Sequence, residues 1–155
     1  MGKHALLSAS SSHRWLNCPP SARLCEIYED KGSDYAAEGT AAHTLCEYKL
    51  KVALGIRAKD PTADLTYYNA EMEDCANGYA AYILELVETA KQCCADPAVL
   101  IEQRLDFSKY VEGGFGTGDC LAIADGTLHI VDYKHGQGVL VEADDNPQMK
   151  LYALG

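Results

Sequence analysis

Apolar residues recur at helical spacing in two long stretches of the chain. In the stretch 69–94 they form one stripe, consisting of Met72, Cys75, Tyr79, Ile83, Leu86 and Ala90. The stretch 35–54 favours helix throughout, and Gly55 follows it as a typical stop signal. This spacing predicts two long helices, which together account for the helical part of the chain at 35–95.

Shorter helices are predicted near both ends of the sequence. Ser8 to Ser12 supply several residues that cap helix N-termini, and a short helix is expected there that ends before Pro19. A second short helical segment is expected over 21–28. Near the other end, Asn146 followed by Pro147 has the order of an N-cap and a first helical residue. A final helix of about two turns is therefore predicted after Asn146.

Strand-like alternation dominates the region between these helices. Residues 99–107 alternate apolar and polar side chains, and a glycine-rich loop at 113–118 leads into two apolar runs separated by Asp125-Gly126. An Asp-Gly pair between apolar runs is the strongest short-range signal for a β-hairpin. With these two residues at the turn, Ala124 is opposite Thr127, and Asp119 is opposite Asp132.

The predicted hairpin creates an electrostatic problem at its open end. Asp119 and Asp132 share a face with Lys134, because side chains on a strand alternate with a period of two. Two carboxylates with Cβ atoms roughly 5 Å apart repel by about 3 kcal/mol at an effective dielectric constant of about 20. A raised pKa of one acid, the lysine, or a divalent cation such as Mg²⁺ or Mn²⁺ would offset this repulsion. Acids that simply point into solvent are an equally good interpretation of the spacing alone.

Length and composition are those of one globular domain. The chain has 155 residues, of which 48% are hydrophobic and 23% charged, which is enough to form a substantial core. We expect a single domain over 1–155, with an N-terminal helical segment at 1–30, the helical part at 35–95, and a sheet with the final helix at 98–155. No apolar run is long enough for a signal peptide or a membrane span, so a cytoplasmic location is expected.

Charge and cysteine content restrict the function further. The seven cysteines form no Cys-x-x-Cys pair and are expected to be reduced thiols, mostly in the core. The net charge is −10, from 13 basic and 23 acidic residues, which has the wrong sign for tight DNA binding by phosphate neutralisation alone. A nuclease is still compatible with this charge, because metal-binding acids contribute to it and a local basic patch or a partner can hold DNA.

Four other residues gain interest only in combination with the acids. His43 follows small residues on the first long helix, where a lone histidine is more often a surface or core residue than a metal ligand. Glu102 alternates with the apolar residues of the 99–107 strand and is either a solvated side chain or a third acid. Gln148 and Tyr152 are four residues apart and share one face of the final helix.

Taken together, these features resemble the PD-(D/E)XK nuclease superfamily, and in particular its RecB-like exonuclease branch, which includes phage, prophage and CRISPR-associated exonucleases. Five short motifs occur in the order of that branch: Gly39-x-x-x-His43, Glu102, Gly118-Asp119, Asp132-Tyr133-Lys134 and Gln148-x-x-x-Tyr152. Ser8-Ala-Ser-Ser and Cys18-Pro19 also resemble the opening segment of that branch. Each motif is degenerate, but the resemblance extends from about residue 8 to residue 154. The resemblance implies an α/β (α+β) fold with a restriction-endonuclease-like core, in which a helix is followed by an antiparallel β-meander and a second helix.

The same resemblance implies a function and roles for individual residues. It implies hydrolysis of DNA phosphodiester bonds with Mg²⁺ or Mn²⁺ held by His43, Asp119 and Asp132, and with the Tyr133 carbonyl as a further ligand. Lys134 would orient or activate the attacking water and stabilise charge on the phosphate. Glu102 would be a catalytic acid, and Gln148 and Tyr152 would lie near the DNA backbone and the lysine.

The chain departs from the family pattern in two ways. Several members carry an iron–sulfur cluster, for which Cys18 would be the first ligand, but the other three cysteines would follow the final helix and are not in this sequence. An iron–sulfur cluster is therefore not expected here. The last core strand is also missing, which suggests the N-terminal part of a longer protein. The expected partners are DNA and either other recombination proteins or the missing C-terminal part. No membrane association is expected, and an oligomer is possible.

Two alternatives belong to different functional classes. The first is a nuclease-fold module without catalysis that binds DNA ends or partner proteins. The negative charge and the missing core strand favour it, whereas the complete set of two acids and a lysine disfavours it. The second is a zinc or iron–sulfur protein that uses the cysteines.

Overall fold

The structure is a computed structural model that describes residues 5–28, 32–136 and 140–155. Its helices are α1 (Ser12–Asn17), α2 (Pro20–Glu26), α3 (Asp34–Ala53), α4 (Ala70–Ala90) and α5 (Pro147–Leu154). Its strands are β1 (Ala98–Asp106), β2 (Phe115–Ala124) and β3 (Thr127–Val131), and they form one antiparallel sheet in the order β1-β2-β3. Short 3-10 helices occupy Ala9–Ser11 and Thr62–Asp64. The predicted α+β class is confirmed.

The chain divides into two compact units. The helix-pair unit comprises Gly32–Ile101 and Asp119–Val139, and the terminal unit comprises Met1–Lys31, Glu102–Gly118 and Leu140–Gly155. The predicted single domain over 1–155 and its three segments stay a prediction, and residues 1 and 30, the limits of the first segment, lie outside the described residues.

Both long helices of the helix-pair unit begin at a residue that caps them. The side chain of Ser33 accepts a hydrogen bond from the Ala36 amide at the start of α3, and Asn69 does the same for Met72 at the start of α4. Helix α4 ends at Ala90, four residues before the predicted end at Cys94. The Cys94 amide still donates to the Ala90 carbonyl, at 2.9 Å, so the chain leaves the helix through one further turn.

Small residues bring α3 and α4 together to form the core of this unit. Ala42 on α3 and Ala76 on α4 are fully buried, and so are the larger Leu45, Met72 and Ile83. The predicted stripe is correct at Met72, Tyr79 and Ile83, but Ala76, Ala80 and Val87 complete it in place of Cys75, Leu86 and Ala90. Alanines on both helices permit close approach of their axes, so the contact runs through these small residues.

The hairpin has the predicted register. Ala124 pairs with Thr127, and the ladder continues to Cys120 opposite Val131. Asp125 and Gly126 have φ angles of 47° and 72°, which are typical of the turn that matches the twist of two antiparallel strands. Strand β3 ends at Val131, so Asp132 to His135 extend beyond the ladder.

In the terminal unit, α5 begins as predicted. The Asn146 side chain accepts hydrogen bonds from the amides of Gln148 and Met149, and Pro147 is the first helical residue. The ring of Tyr152 covers Gly116, where an added Cβ would lie 2.7 Å from it. The helices predicted near the N-terminus are present as α1 and α2.

The cysteine prediction is correct in one respect and wrong in another. All seven cysteines are free thiols, but only Cys46 and Cys120 are buried, so the expectation that most lie in the core is wrong. The reason is the position of each residue on its element: Cys75 lies beside the buried stripe of α4, and Cys93 and Cys94 follow its end. No helix within the described ranges has the length and apolarity needed to cross a membrane.

Candidate functional site

Asp119 occupies a buried position at the open end of the hairpin. It is 8% exposed and lies in β2 immediately before Cys120, which is part of the hydrophobic core. Its Oδ2 accepts a hydrogen bond from the Tyr133 amide at 2.6 Å. This bond joins the two strand ends beyond the last ladder pair and holds the carboxylate in one orientation.

His43 reaches Asp119 from helix α3. Its Nδ1 lies 3.2 Å from Asp119 Oδ1, and the histidine side chain retains 34% of its exposure. The neighbours Ala41 and Ala42 are buried, so this turn of α3 lies close enough to the sheet for the imidazole to reach the carboxylate. The helix places His43 beside one of the two acids that the sequence singles out.

Asp132 and Lys134 form an ion pair next to these residues. The Asp132 side chain is 7% exposed, and the Lys134 ammonium contacts its Oδ2, while Lys134 itself remains 46% exposed. Burial raises the pKa of Asp132, the Lys134 hydrogen bond and charge lower it, and the negative charge of Asp119 raises it. The net effect is a raised pKa.

Two of the three expected ways to offset the acid–acid repulsion are therefore present. One acid has a raised pKa, and the lysine is paired with it. Asp119 and His43 both contribute to the pKa of Asp132, the first raising it and the second lowering it. Asp119 and His43 therefore lie close enough to Asp132 for their charges to act on it.

Tyr133 connects the parts of this site. Its ring packs edge-on against His43, with centroids 5.7 Å apart, and against Tyr79 of α4, at 5.5 Å. Burial raises the pKa of the Tyr133 hydroxyl, with a further contribution from Cys46 and Cys75. The sequence drew attention to the Tyr133 carbonyl, whereas the structure shows that the amide and the ring make these contacts.

Sequence reasoning missed two residues near the site, His135 and Glu38. The Nδ1 atom of His135 lies 2.9 Å from the Tyr133 hydroxyl, and its Nε2 lies 3.8 Å from Glu38 Oε1. The side chain of His135 is 10% exposed. The sequence did contain a signal for His135, because the alternation that places Asp132 and Lys134 on one face places Tyr133 and His135 on the other.

A cavity of about 780 Å³ lies beside Lys134 in the helix-pair unit. Residues from the start of α3, the start of α4 and the segment after β3 line it: Tyr35, Glu38, Asn69, Glu71, Cys75, Tyr133, Lys134, His135 and Gly136. Because Lys134 both lines this cavity and contacts Asp132, the cavity adjoins the acidic site.

The donor set fits a divalent cation. Adjacent ligands of an octahedral ion with bond lengths of about 2.1 Å are separated by about 3.0 Å. The His43 Nδ1 to Asp119 Oδ1 distance of 3.2 Å is close to that value. Carboxylate oxygens suit Mg²⁺ and Mn²⁺, and an imidazole nitrogen favours the transition metal of the two.

The remaining predicted residues lie in the terminal unit. Glu102 is in β1, with an unusual φ of 50° for a residue other than glycine. Gln148 and Tyr152 are buried on α5, and the Gln148 side-chain amide donates to the Tyr152 hydroxyl at 3.0 Å. Their predicted roles toward a metal or DNA stay predictions.

One protein family matches the chain over residues 4–155, and its description reads "Protein of unknown function (DUF2800)". No solved structure matches the chain.

Proposed function

The chain belongs to the DUF2800 family, and we propose that it is a metal-dependent deoxyribonuclease that hydrolyses DNA phosphodiester bonds with Mg²⁺ or Mn²⁺. The observation that carries this proposal is the His43–Asp119 pair at the spacing of two ligands, beside a buried Asp132 paired with Lys134. A nitrogen donor, two carboxylates and one ammonium are a suitable set for water-mediated attack on a phosphodiester.

Each residue has a role that follows from its environment. His43, Asp119 and Asp132 would hold the cation, which when bound supplies a polarised phosphoryl oxygen and a water of lowered pKa. Lys134 is the exposed member of its ion pair, so its ammonium can turn from Asp132 toward a phosphate or a water. As a compact point charge, it would orient the water and stabilise negative charge that develops on the phosphate.

The finer parts of the proposal rest on the sequence resemblance. They are a restriction-endonuclease-like core, an exonuclease that acts in phage or mobile-element recombination, and the Tyr133 carbonyl as a further ligand. Glu102 is proposed as an additional catalytic acid, and Gln148 with Tyr152 as contacts to the DNA backbone. Of the predicted fold, the α+β class is observed, and the restriction-endonuclease-like core is part of the proposal.

A second candidate is a nuclease-fold module that binds DNA ends or proteins without cleaving DNA. The net charge of −10 favours the version of this module that binds a partner protein, because a chain this acidic repels the phosphate backbone that a nuclease must approach. This candidate predicts DNA or protein binding with no metal-dependent cleavage.

Degradation of linear DNA with and without Mn²⁺ tests the proposal. We expect cleavage by the wild-type protein to require the metal and to fall by at least about a hundredfold in Lys134→Ala, because electrostatic stabilisation of the transition state is lost. Lys59→Ala is the matched control, since Lys59 is an exposed lysine that pairs with Asp64. Undiminished cleavage by pure Lys134→Ala would reject the proposed role. Metal-independent binding of DNA without cleavage by the wild type would favour the second candidate.

A further inference from the structure

Tyr133 contacts both His43 and Asp119, two of the residues proposed to bind the metal. Its amide donates to Asp119 Oδ2 at 2.6 Å, and the edge of its ring meets the ring of His43 at a centroid distance of 5.7 Å. Rotation of the Tyr133 ring would therefore disturb the imidazole through packing, and a displacement of the whole residue would also disturb the carboxylate through the amide. The orientation of both donors depends on how Tyr133 is held.

His135 holds the other end of Tyr133. The Tyr133 hydroxyl and His135 Nδ1 are 2.9 Å apart, and the two rings stack with centroids 5.9 Å apart and an angle of 25° between their planes. Glu38 Oε1 lies 3.8 Å from His135 Nε2. A carboxylate facing Nε2 favours the tautomer with its proton on that atom, which leaves Nδ1 to accept from the tyrosine hydroxyl.

We propose that His135 is a positioning residue, which fixes Tyr133 and through it the orientation of His43 and Asp119 for metal binding. Glu38 lies at the far end of this series, with its Oε1 3.8 Å from His135 Nε2, and the series continues through His135 and Tyr133 to the two metal donors. The inference rests on the proposed function for its metal, but the fixed orientation of His43 is a property of the metal-free protein as well. Groups that orient metal ligands in this way commonly change metal affinity by about 10–100-fold when they are removed.

The experiment compares substitutions that keep or remove the hydrogen bond between His135 Nδ1 and the Tyr133 hydroxyl. Asn at position 135 can place its amide oxygen near the position of Nδ1, whereas Gln extends toward the position of Nε2. Tyr133→Phe removes the hydroxyl alone and keeps the ring that packs against His43 and Tyr79. His129→Ala is the control, because His129 is a half-buried histidine of β3 that pairs with Ala122.

Two measurements are made on each variant of the 155-residue chain. The Kd for Mn²⁺ is measured by calorimetry, and the NMR signals of the His43 imidazole are recorded in the metal-free protein. We expect His135→Gln and Tyr133→Phe to weaken Mn²⁺ binding by about tenfold and to shift the His43 signals, because the hydrogen bond that orients Tyr133 is lost. His135→Asn should retain most of the affinity, and His129→Ala should match the wild type in both measurements.

The two measurements separate failure of this inference from failure of the proposed function. If the wild type does not bind Mn²⁺, the metal site is rejected, while the His43 signals still decide whether His135 and Tyr133 position that ring. If Tyr133→Phe and His135→Gln leave both the His43 signals and the Kd unchanged, the positioning role is overturned. Should the His135 variants fail to fold, Tyr133→Phe decides alone, since it removes one oxygen atom.

Discussion

His43 Nδ1 and Asp119 Oδ1 lie 3.2 Å apart, although one residue comes from helix α3 and the other from strand β2. The distance suits either a direct hydrogen bond or two ligands of one cation. A bound cation would replace the direct contact without any large movement of either side chain.

The first prediction concerns the metal affinity of this pair. Asp119→Asn should weaken Mn²⁺ binding by at least about tenfold, because it removes the charge of a ligand that hard cations prefer. The amide oxygen can still accept from the Tyr133 amide, so the fold should persist. Calorimetric titration measures the change, and the exposed Asp144→Asn is the control. Equal affinity in wild type and Asp119→Asn would show that any bound Mn²⁺ lies elsewhere.

The second prediction follows from the raised pKa of Asp132. Because the folded-state pKa exceeds the ordinary value of 3.8, folding favours the protonated acid, and this contribution is complete below pH 3.8 and is lost as the pH rises through the raised value. Asp132→Asn is uncharged at every pH. In the absence of metal, we expect it to increase the free energy of unfolding at pH 7 relative to the wild type, and to lose this advantage at low pH.

Urea denaturation of both proteins at several pH values measures this difference. The same variant should lose metal-dependent cleavage, because the carboxylate would be a ligand. A loss of stability at pH 7 in Asp132→Asn would mean that the Lys134 ion pair outweighs the burial of the charge.

A third prediction concerns the ion pair between the long helices. Lys49 of α3 pairs with Glu73 of α4, the two side chains are 22% and 25% exposed, and the pair raises the pKa of Lys49 and lowers that of Glu73. Glu73→Gln should reduce the free energy of unfolding by about 1 kcal/mol at pH 7.

The sign of the pH dependence follows from the lowered pKa of Glu73. Its contribution is present above the ordinary value of 4.5 and is lost as the pH falls through the lowered folded-state value. The difference between wild type and Glu73→Gln should therefore shrink in acid. Asp64→Asn removes the much more exposed pair with Lys59 and should change stability little. Equal effects of the two substitutions would contradict the importance of burial.

The fourth prediction tests the hairpin turn. Gly126 has a φ of 72° and nothing within 4 Å of the position of an added Cβ, so Gly126→Ala should destabilise the protein through the backbone alone, by about 1 kcal/mol. Gly39 also has free space around it, but it lies inside α3 with an ordinary φ. Gly39→Ala should stabilise by roughly 0.5–1 kcal/mol. Thermal unfolding of both variants measures the contrast, and changes of the same sign would contradict it.

Much of the candidate site could be predicted from local patterns. Asp125-Gly126 determines the register of the hairpin, and the register brings Asp119 near the segment that holds Asp132 and Lys134. The predicted pairing extends too far at the open end of the hairpin. The ladder ends at Val131, and beyond it the Tyr133 amide donates a hydrogen bond to the Asp119 side chain instead of to a backbone carbonyl.

Other features depended on packing between distant segments. The buried stripe of α4 passes through Ala76 and Ala80 and leaves Cys75 beside it, whereas Cys46 of α3 does lie in the core. Alternation places His135 with Tyr133, but the sequence does not show that Glu38 of the distant helix α3 approaches it. Periodicity identifies which residues share a face, but it does not reveal what packs against that face.

The sequence by itself determined the elements of this protein, their order, and the approach of Asp119 to the segment of Asp132 and Lys134 at the end of a hairpin. Turn residues, helix caps and alternation act over a few neighbouring residues, so they can be recognised without knowledge of the rest of the chain. Only the tertiary structure decided that His43 meets Asp119 and that His135 holds Tyr133. Those contacts require α3 to lie against the sheet, and that placement results from the packing of many buried side chains at once.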